Sequence, residues 1–160
     1  MSRLETGTFV LTPAEARLGD TIAQAMSTVW AKAEKKQIEL TVDCAPEIMV
    51  QHDSKWTAEA IGNILDNAVK YTPAGGRIAI TVRPWQFYTR IDITDTGIGI
   101  PEEHYNDVFQ RFYRAQEVAA EEGVGLGLYL ANGIVTRQKG YISVKSTVGV
   151  GTTFSVYLLS

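Results

Sequence analysis

One long helix, predicted for residues 53–71, sets the architecture that is available to this chain. Asp53 is a good N-cap residue, and the Pro- and Gly-rich residues 72–76 should end the helix. At about 100° per residue, its aliphatic side chains share one face, which needs a hydrophobic core to cover it. The opposite face carries a polar stripe, formed by Asn63, Asp66, Asn67 and Lys70.

The two asparagines on this polar face need an explanation. A solvated stripe usually consists of Lys, Glu and Gln, whereas Asn is a mediocre helix former. Asn63 and Asn67 lie four residues apart, so their amides project on the same side. Exposure to solvent explains most polar stripes on helices. Binding of a metal ion or a phosphate would explain why this stripe contains two asparagines.

Composition excludes several classes of protein. With 160 residues, 45% of them hydrophobic, the chain can bury one core, and we expect an isolated monomer. A net charge of -3 without any basic run argues against a nucleic-acid surface. No stretch is apolar enough to contact or cross a membrane. The lone Cys44 excludes an internal disulfide and suggests a reducing, cytoplasmic compartment, whether or not a parent protein is membrane-anchored.

Two histidines, His52 and His104, are widely separated in sequence. With a single cysteine they do not suggest a structural zinc site. We expect both to be ordinary surface or loop residues.

Hydrophobic periodicity predicts strands and helices on both sides of the long helix. Strands are expected at residues 8–11, 38–42, 48–50, 77–83, 87–94, 141–146 and 152–158. Helices are expected at residues 14–36, 102–109 and 126–138. Because these elements do not alternate strictly, a doubly wound parallel fold is disfavoured. We expect a two-layer α/β sandwich, with a mixed, mainly antiparallel sheet and about three helices on one face.

Three glycine motifs follow the long helix. Asp95, Gly97 and Gly99 come at a strand end, where a carboxylate could accept from the amine of adenine, although the motif could equally be a turn. Residues 123–128 precede a helix, whose amides and dipole could hold phosphate. Residues 149–154 are, by themselves, more typical of a tight turn between strands. Each motif alone is weak evidence.

Taken together and in this order, the Asn-bearing helix and the glycine motifs resemble a known family. The chain resembles the catalytic ATP-binding domain of sensor histidine kinases, within the superfamily that includes DNA gyrase, the heat-shock ATPase chaperones and the mismatch-repair ATPases. The aromatic and basic residues 109–114 resemble the motif of the kinase branch. The resemblance implies a Bergerat-type α/β sandwich with a mobile ATP lid over residues 112–124.

The resemblance also implies roles for individual residues. Asn63, Asn67 and Lys70 would be catalytic, with Asn67 bridging Mg²⁺ to the triphosphate of ATP. Asp95 would accept from the adenine amine, and Thr152 would help to hold a water at the adenine edge. The remaining ATP-binding residues would be Tyr71, Gly97, Gly99, Ile100, Arg111, Phe112, Arg114, Gly123, Gly125, Leu126 and Gly127. Arg111 and Arg114 could instead contact a partner domain.

Position 63 separates the kinases of this superfamily from its ATPases. The ATPases carry a general-base Glu there, whereas Asn63 cannot take up a proton. The resemblance therefore implies transfer of the γ-phosphate to a histidine on a separate dimerisation domain, and from there to a response regulator. Residues 1–7 would be the end of that domain, and residues 8–160 the catalytic domain.

Three alternatives remain open at this point. The chain could be an ATPase that uses the flap as a clamp, which Asn63 argues against. It could be a degenerate nucleotide-sensing module, although its motifs are intact. A serine kinase of the anti-sigma type shares the fold, but residues 109–114 favour the histidine branch.

Overall fold

The structure is a computed structural model that describes residues 10–109 and 127–159. Its helices and strands form a two-layer α/β sandwich, as predicted. In chain order they are β1 (Ala14–Arg17), α1 (Leu18–Ser27), α2 (Trp30–Lys35), β2 (Glu39–Asp43), β3 (Met49–His52), α3 (Ser54–Tyr71), β4 (Arg77–Trp85), β5 (Tyr88–Asp95), α4 (Gly127–Arg137), β6 (Tyr141–Thr147) and β7 (Gly151–Leu159).

A five-stranded sheet forms the first layer. Its order is β2-β4-β5-β7-β6, with β2 and β4 parallel and the other pairs antiparallel. Along β5 and β7, buried residues alternate with more exposed ones, because successive side chains of a strand point to opposite faces. The sheet is therefore mixed and mainly antiparallel, with one face turned towards the helices.

The helices α1, α3 and α4 cover this inner face. Helix α3 contributes the fully buried Ile61, Ile64 and Leu65, which join the same core as Ile91 and Ile93 of β5. Burial of each such side chain contributes about 1.5–3 kcal/mol. The aliphatic face of the long helix is thus covered, as its amphipathic pattern requires.

Helix α3 begins and ends close to the predicted residues. Oδ1 of Asp53 accepts a hydrogen bond from the backbone N–H of Trp56 (2.9 Å), which is the expected N-cap interaction. At the other end, the ammonium group of Lys36 donates to the carbonyl of Val69 (2.7 Å). A cation at this position also complements the negative end of the helix dipole.

Asp53 connects three parts of the chain. Its second oxygen, Oδ2, accepts from the backbone N–H of Thr12 (2.7 Å), and its own N–H donates to Oε1 of Gln138 (2.9 Å). Gln138 in turn donates to the hydroxyl of Thr57 (2.9 Å). The segment before β1, the start of α3 and the residue after α4 are therefore held together at one buried residue, Asp53.

The N-terminal prediction is partly wrong. Residues 10 and 11 are not in a strand; β1 lies at residues 14–17 instead and pairs with β3. The predicted helix over 14–36 starts only at Leu18 and is divided around Thr28, whose hydroxyl bonds to the carbonyl of Ala25 (2.7 Å). The helical spacing of apolar residues gives no sign that residues 14–17 pair with β3.

Smaller differences occur further along the chain. Strand β4 continues through Pro84 and Trp85, so the β4–β5 turn falls at Gln86, which has a φ of 51°. The predicted helix at 102–109 is two short 3-10 turns, Glu102–His104 and Asp107–Phe109. The turn around Gly149 between β6 and β7 is confirmed.

Some predictions lie outside the described residues. These are the terminal segment 1–7, the lid at 112–124 and most of the cluster 109–114. No helix in the described ranges is both long enough and apolar enough to cross a membrane.

We predict that Asp53→Ala lowers the free energy of unfolding by about 1–3 kcal/mol, because it removes the N-cap and the bonds to Thr12 together. Urea denaturation followed by circular dichroism measures the change. Asp20→Ala, at an exposed position in the first turn of α1, is the control and should change stability by only about 0.5 kcal/mol. Equal effects of the two variants would contradict the connecting role of Asp53.

Candidate nucleotide site

Asp95 ends β5 on the inner, helix-covered face of the sheet. It lies directly opposite Thr152 of β7, and both residues are buried. Oδ1 of Asp95 accepts from the backbone N–H of Gly97 (2.8 Å) and from that of Thr152 (3.2 Å). Among the described residues no group donates to the other oxygen, Oδ2. One oxygen of this buried carboxylate is therefore fixed, and the second is available to a ligand.

Burial raises the pKa of Asp95 above the ordinary value of an aspartate. The hydrogen bonds from the N–H groups of Gly97 and Thr152 act in the opposite direction, because they stabilise the ionised form. As the pH falls, the carboxylate is thus lost earlier than that of an exposed aspartate. Any ligand that donates to ionised Asp95 should bind less well in acid.

Two glycines after Asp95 allow the chain to pass close to other backbone. A Cβ on residue 97 would lie 2.7 Å from the carbonyl oxygen of Tyr71 and 2.9 Å from Oδ1 of Asp95. Gly99 has a φ of 82°, and a Cβ there would overlap the carbonyl of Thr147. A side chain at either position would move the loop away from the carboxylate or from the β6–β7 turn.

Ser146 is the centre of a hydroxyl network beside Asp95. Its Oγ accepts from the N–H of Ile100 (2.7 Å), donates to the carbonyl of Gly151 (2.8 Å) and lies 2.7 Å from the hydroxyl oxygen of Thr152. Because the proton of Ser146 goes to a carbonyl, which can only accept, the Thr152 hydroxyl has to donate to Ser146. Thr152 can therefore accept a further hydrogen bond but has no proton left to give.

Tyr105, which directly follows the first 3-10 turn, supports this network. Its hydroxyl donates to the carbonyl of Ser146 (2.7 Å) and accepts from the N–H of the same residue (2.7 Å). The loop that follows Gly99 is thereby attached to β6, and Ile100 packs against the hydrophobic core.

The polar face of α3 forms the second wall of the site. Asn63, Asn67 and Lys70 are half-buried. A Cβ on Gly127, at the start of α4, would lie 3.7 Å from Cβ of Asn63, so the beginning of α4 approaches this face. Asp66 has a different role, because it forms an ion pair with Lys32 of α2 (2.8 Å).

The structure brings most of the described candidate residues to one end of the domain. The carbonyl of Tyr71, at the end of α3, accepts from the N–H of Ile98, and this bond joins α3 to the Asp95 loop. Gly97, Gly99, Ile100 and Thr152 lie around the same loop. Candidate residues outside the described ranges are Arg111, Phe112, Arg114, Gly123, Gly125 and Leu126.

The amide oxygens on α3 suit a magnesium ion that is also bound by phosphate. Within residues 10–109 and 127–159, no group of three or more His, Cys, Asp or Glu side chains could hold a metal by itself. Mg²⁺ typically keeps several waters and takes one or two protein ligands together with phosphate oxygens. Amide oxygens of Asn67 and Asn63 fit that requirement.

Sequence reasoning missed Ser146, Tyr105 and Thr72. Ser146 lies directly opposite Thr152 in the β6–β7 hairpin, so a known register would have identified it. The contact of Tyr105 has no sequence signal. Thr72 follows α3 directly and looked like part of the helix stop, but its side chain is fully buried beside Asp95 and Gly97.

The prediction for the histidines is wrong for His52. This residue is 1% exposed, its Nδ1 donates to the carbonyl of Val50 (2.7 Å), and its Nε2 lies 2.8 Å from the hydroxyl of Thr21. The alternation of β3 places His52 on the inner face. His104 is partly exposed and pairs with Asp107 (3.2 Å).

Comparison with known proteins connects this arrangement to a family. The sequence model described as histidine kinase-, DNA gyrase B-, and HSP90-like ATPase matches residues 52–160. The sensor protein DivL of Caulobacter vibrioides is 28% identical over 159 residues, which cover 99% of this chain and 20% of DivL. SrrB of Staphylococcus aureus is 35% identical over 129 residues, which cover 79% of this chain and 22% of SrrB. The chain thus spans about a fifth of the length of these relatives.

Solved structures agree with the fold. The mycobacterial sensor histidine kinase MprB superposes with a TM-score of 0.81 at 28% identity, covering 92% of this chain and 97% of MprB. The histidine kinase ThkA, solved in complex with the response regulator TrrA, superposes with a TM-score of 0.80 at 23% identity, covering 98% of this chain and 44% of ThkA. The chain therefore belongs to the histidine kinase-, DNA gyrase B- and HSP90-like ATPase family and has the fold of a sensor histidine kinase catalytic domain.

Proposed function

We propose that this domain binds Mg·ATP and transfers the γ-phosphate to a histidine on a separate dimerisation domain of a sensor kinase. The observation that supports this best is the geometry of Asp95. Its carboxylate is buried, one oxygen is fixed by two backbone N–H groups, and the other accepts from no group among the described residues.

Asp95 would select the base. The exocyclic amine of adenine is a hydrogen-bond donor, whereas the corresponding position of guanine is a carbonyl, which can only accept. An ionised carboxylate favours the first and repels the second. A buried acceptor that loses its donor is costly, so discrimination of this kind is strong.

The face of α3 would hold the phosphates. Lys70 supplies positive charge, and the amides of Asn63 and Asn67 can coordinate a cation or donate to phosphate oxygens. Mg²⁺, when bound, would neutralise charge that develops on the phosphates during transfer. In phosphoryl transfer, positioning and charge stabilisation provide most of the catalysis.

The acceptor would come from another domain. His52 is buried and engaged by Thr21 and Val50, and His104 is paired with Asp107. A buried imidazole with both ring nitrogens occupied has no route to a γ-phosphate. The domain would therefore receive its acceptor histidine in trans, and a response regulator, the class of partner seen with ThkA, would take the phosphate onward.

Asn63 favours this function over ATP hydrolysis. An amide cannot take a proton from water, so position 63 provides no general base. An imidazole is itself a good nucleophile and does not need one. A domain that uses ATP only to move its lid as a clamp is the second candidate, and it would require water activation by some other residue.

We predict phosphohistidine on an isolated, cognate histidine-bearing domain after mixing with this protein, Mg²⁺ and γ-labelled ATP. Acid-labile, base-stable label on the partner is the measurement. A partner with the acceptor His replaced by Gln is the control, and ATP turnover without partner should be negligible. Steady turnover without any phosphohistidine would instead support the clamp ATPase.

We also predict that Asn67→Asp and Asp95→Asn each weaken Mg·ATP binding by well over tenfold, on the order of 2 kcal/mol, because each disturbs a charge-linked contact. Isothermal titration calorimetry gives the affinities. Asp66→Asn is the matched control on the same helix, and it should bind normally because Asp66 pairs with Lys32. Unchanged affinity in Asn67→Asp or Asp95→Asn would remove that residue from the site.

A further inference from the structure

Thr72 has a buried hydroxyl that the chain does not satisfy. The residue is 0% exposed, and its Oγ1 makes no hydrogen bond within the part of the chain that the structure describes. Buried hydroxyls almost always have a protein or water partner, because an unpaired polar group in the interior is costly. An exception at the wall of a binding site therefore indicates a partner that is not part of the protein.

The neighbours of this hydroxyl indicate what kind of partner it could bind. A Cβ placed on Gly97 would lie 3.2 Å from Oγ1 of Thr72, 2.9 Å from Oδ1 of Asp95 and 2.7 Å from the carbonyl of Tyr71. These three oxygens therefore lie close together around Gly97. The methyl group of Thr72 points elsewhere, towards Gly76. A water molecule that contacts several of these oxygens would give Oγ1 of Thr72 the partner that it lacks.

The hydroxyl of Thr72 also differs from that of Thr152. The Thr152 proton is used by Ser146, so Thr152 can offer only a lone pair. Oγ1 of Thr72 still has a donor and two acceptor positions. A water beside the carboxylate has two protons to place and needs a donor as well as acceptors, which Thr72 can supply.

We infer that Thr72 is a positioning residue for adenine, which acts through one buried water on the carboxylate of Asp95. The water accepts from Oγ1 of Thr72 and donates to the carboxylate, so that Oδ2 is held towards the exocyclic amine. This inference rests on the proposed nucleotide function and adds Thr72 to its base-recognition residues.

The test compares variants and nucleotides by calorimetry. Thr72→Val keeps the shape of the side chain and removes the hydroxyl, whereas Thr72→Ser keeps the hydroxyl. Mg·ATP is compared with the Mg complex of purine riboside 5′-triphosphate, which lacks the exocyclic amine. Thermal unfolding of each variant checks that it is folded.

Thr72→Val should weaken ATP binding by about three- to tenfold, the range expected for one hydrogen bond, and should change binding of the purine analogue by less than about twofold. Thr72→Ser should restore ATP binding to within about twofold of the original chain. Equal losses for both nucleotides would show a merely structural role, and no loss for ATP would show no role; either result overturns the inference.

Two further measurements separate the inference from the function on which it rests. If the unmodified chain does not bind ATP, the proposed function fails first. If Thr72→Val does not fold, a crystal structure of the unmodified chain with a non-hydrolysable ATP analogue decides. We expect an ordered water within about 3 Å of Oγ1 of Thr72, and a hydroxyl without water, or one bonded directly to protein, would contradict the inference.

Discussion

The buried carboxylate of Asp95 is the group on which the rest of the site depends. Removing a charge from water is expensive unless hydrogen bonds replace the lost hydration. Here the replacement comes from two backbone N–H groups, those of Gly97 and Thr152. The first requires the tight approach that glycine allows, and the second requires β7 to pair with β5 in one register. A slip by one residue would move the N–H of Thr152 away and leave the carboxylate with only one of its two backbone donors.

The second wall depends on how α3 is attached to the domain. Its apolar face packs into the core, which fixes the rotation of the helix about its axis. Asn63 and Asn67 therefore lie on the side away from the core. Its N-terminus is held by Asp53, which also contacts Thr12 and Gln138. A displacement of the segment before β1 would therefore act on the same carboxylate that holds α3. Asp53 therefore links the segment before β1 to the helix that carries Asn63 and Asn67.

Much of this architecture follows from the sequence. The limits of α3 and the closing β6–β7 pair agree with the structure, because their patterns are long and their turn residues are distinct. Strand β4 is also confirmed, although it continues two residues past its predicted end. The predicted position of the first strand is wrong because the segment 14–17 is short and mostly exposed, and only its pairing with β3 makes it a strand. Local periodicity cannot report a contact with residues about 35 positions away.

The site was predictable in its charges and glycines but not in its hydroxyls. Asp95 and Asn67 stand out because a carboxylate at a strand end and amides on a helix are unusual for structure alone. Ser146, Tyr105 and Thr72 are common residues, and their importance comes from partners on other elements. His52 was misjudged for the same reason, since only the register of β3 shows that it faces the core.

The most direct test of the account is a titration of ¹⁵N-labelled protein with Mg·ATP and, separately, with Mg·GTP. The backbone N–H groups of Gly97 and Thr152 report on the carboxylate that they contact. We predict saturable shifts of both signals with ATP and essentially none with GTP at the same concentration. Equal responses to the two nucleotides, or no response to either, would contradict the assignment of Asp95 as the group that recognises adenine.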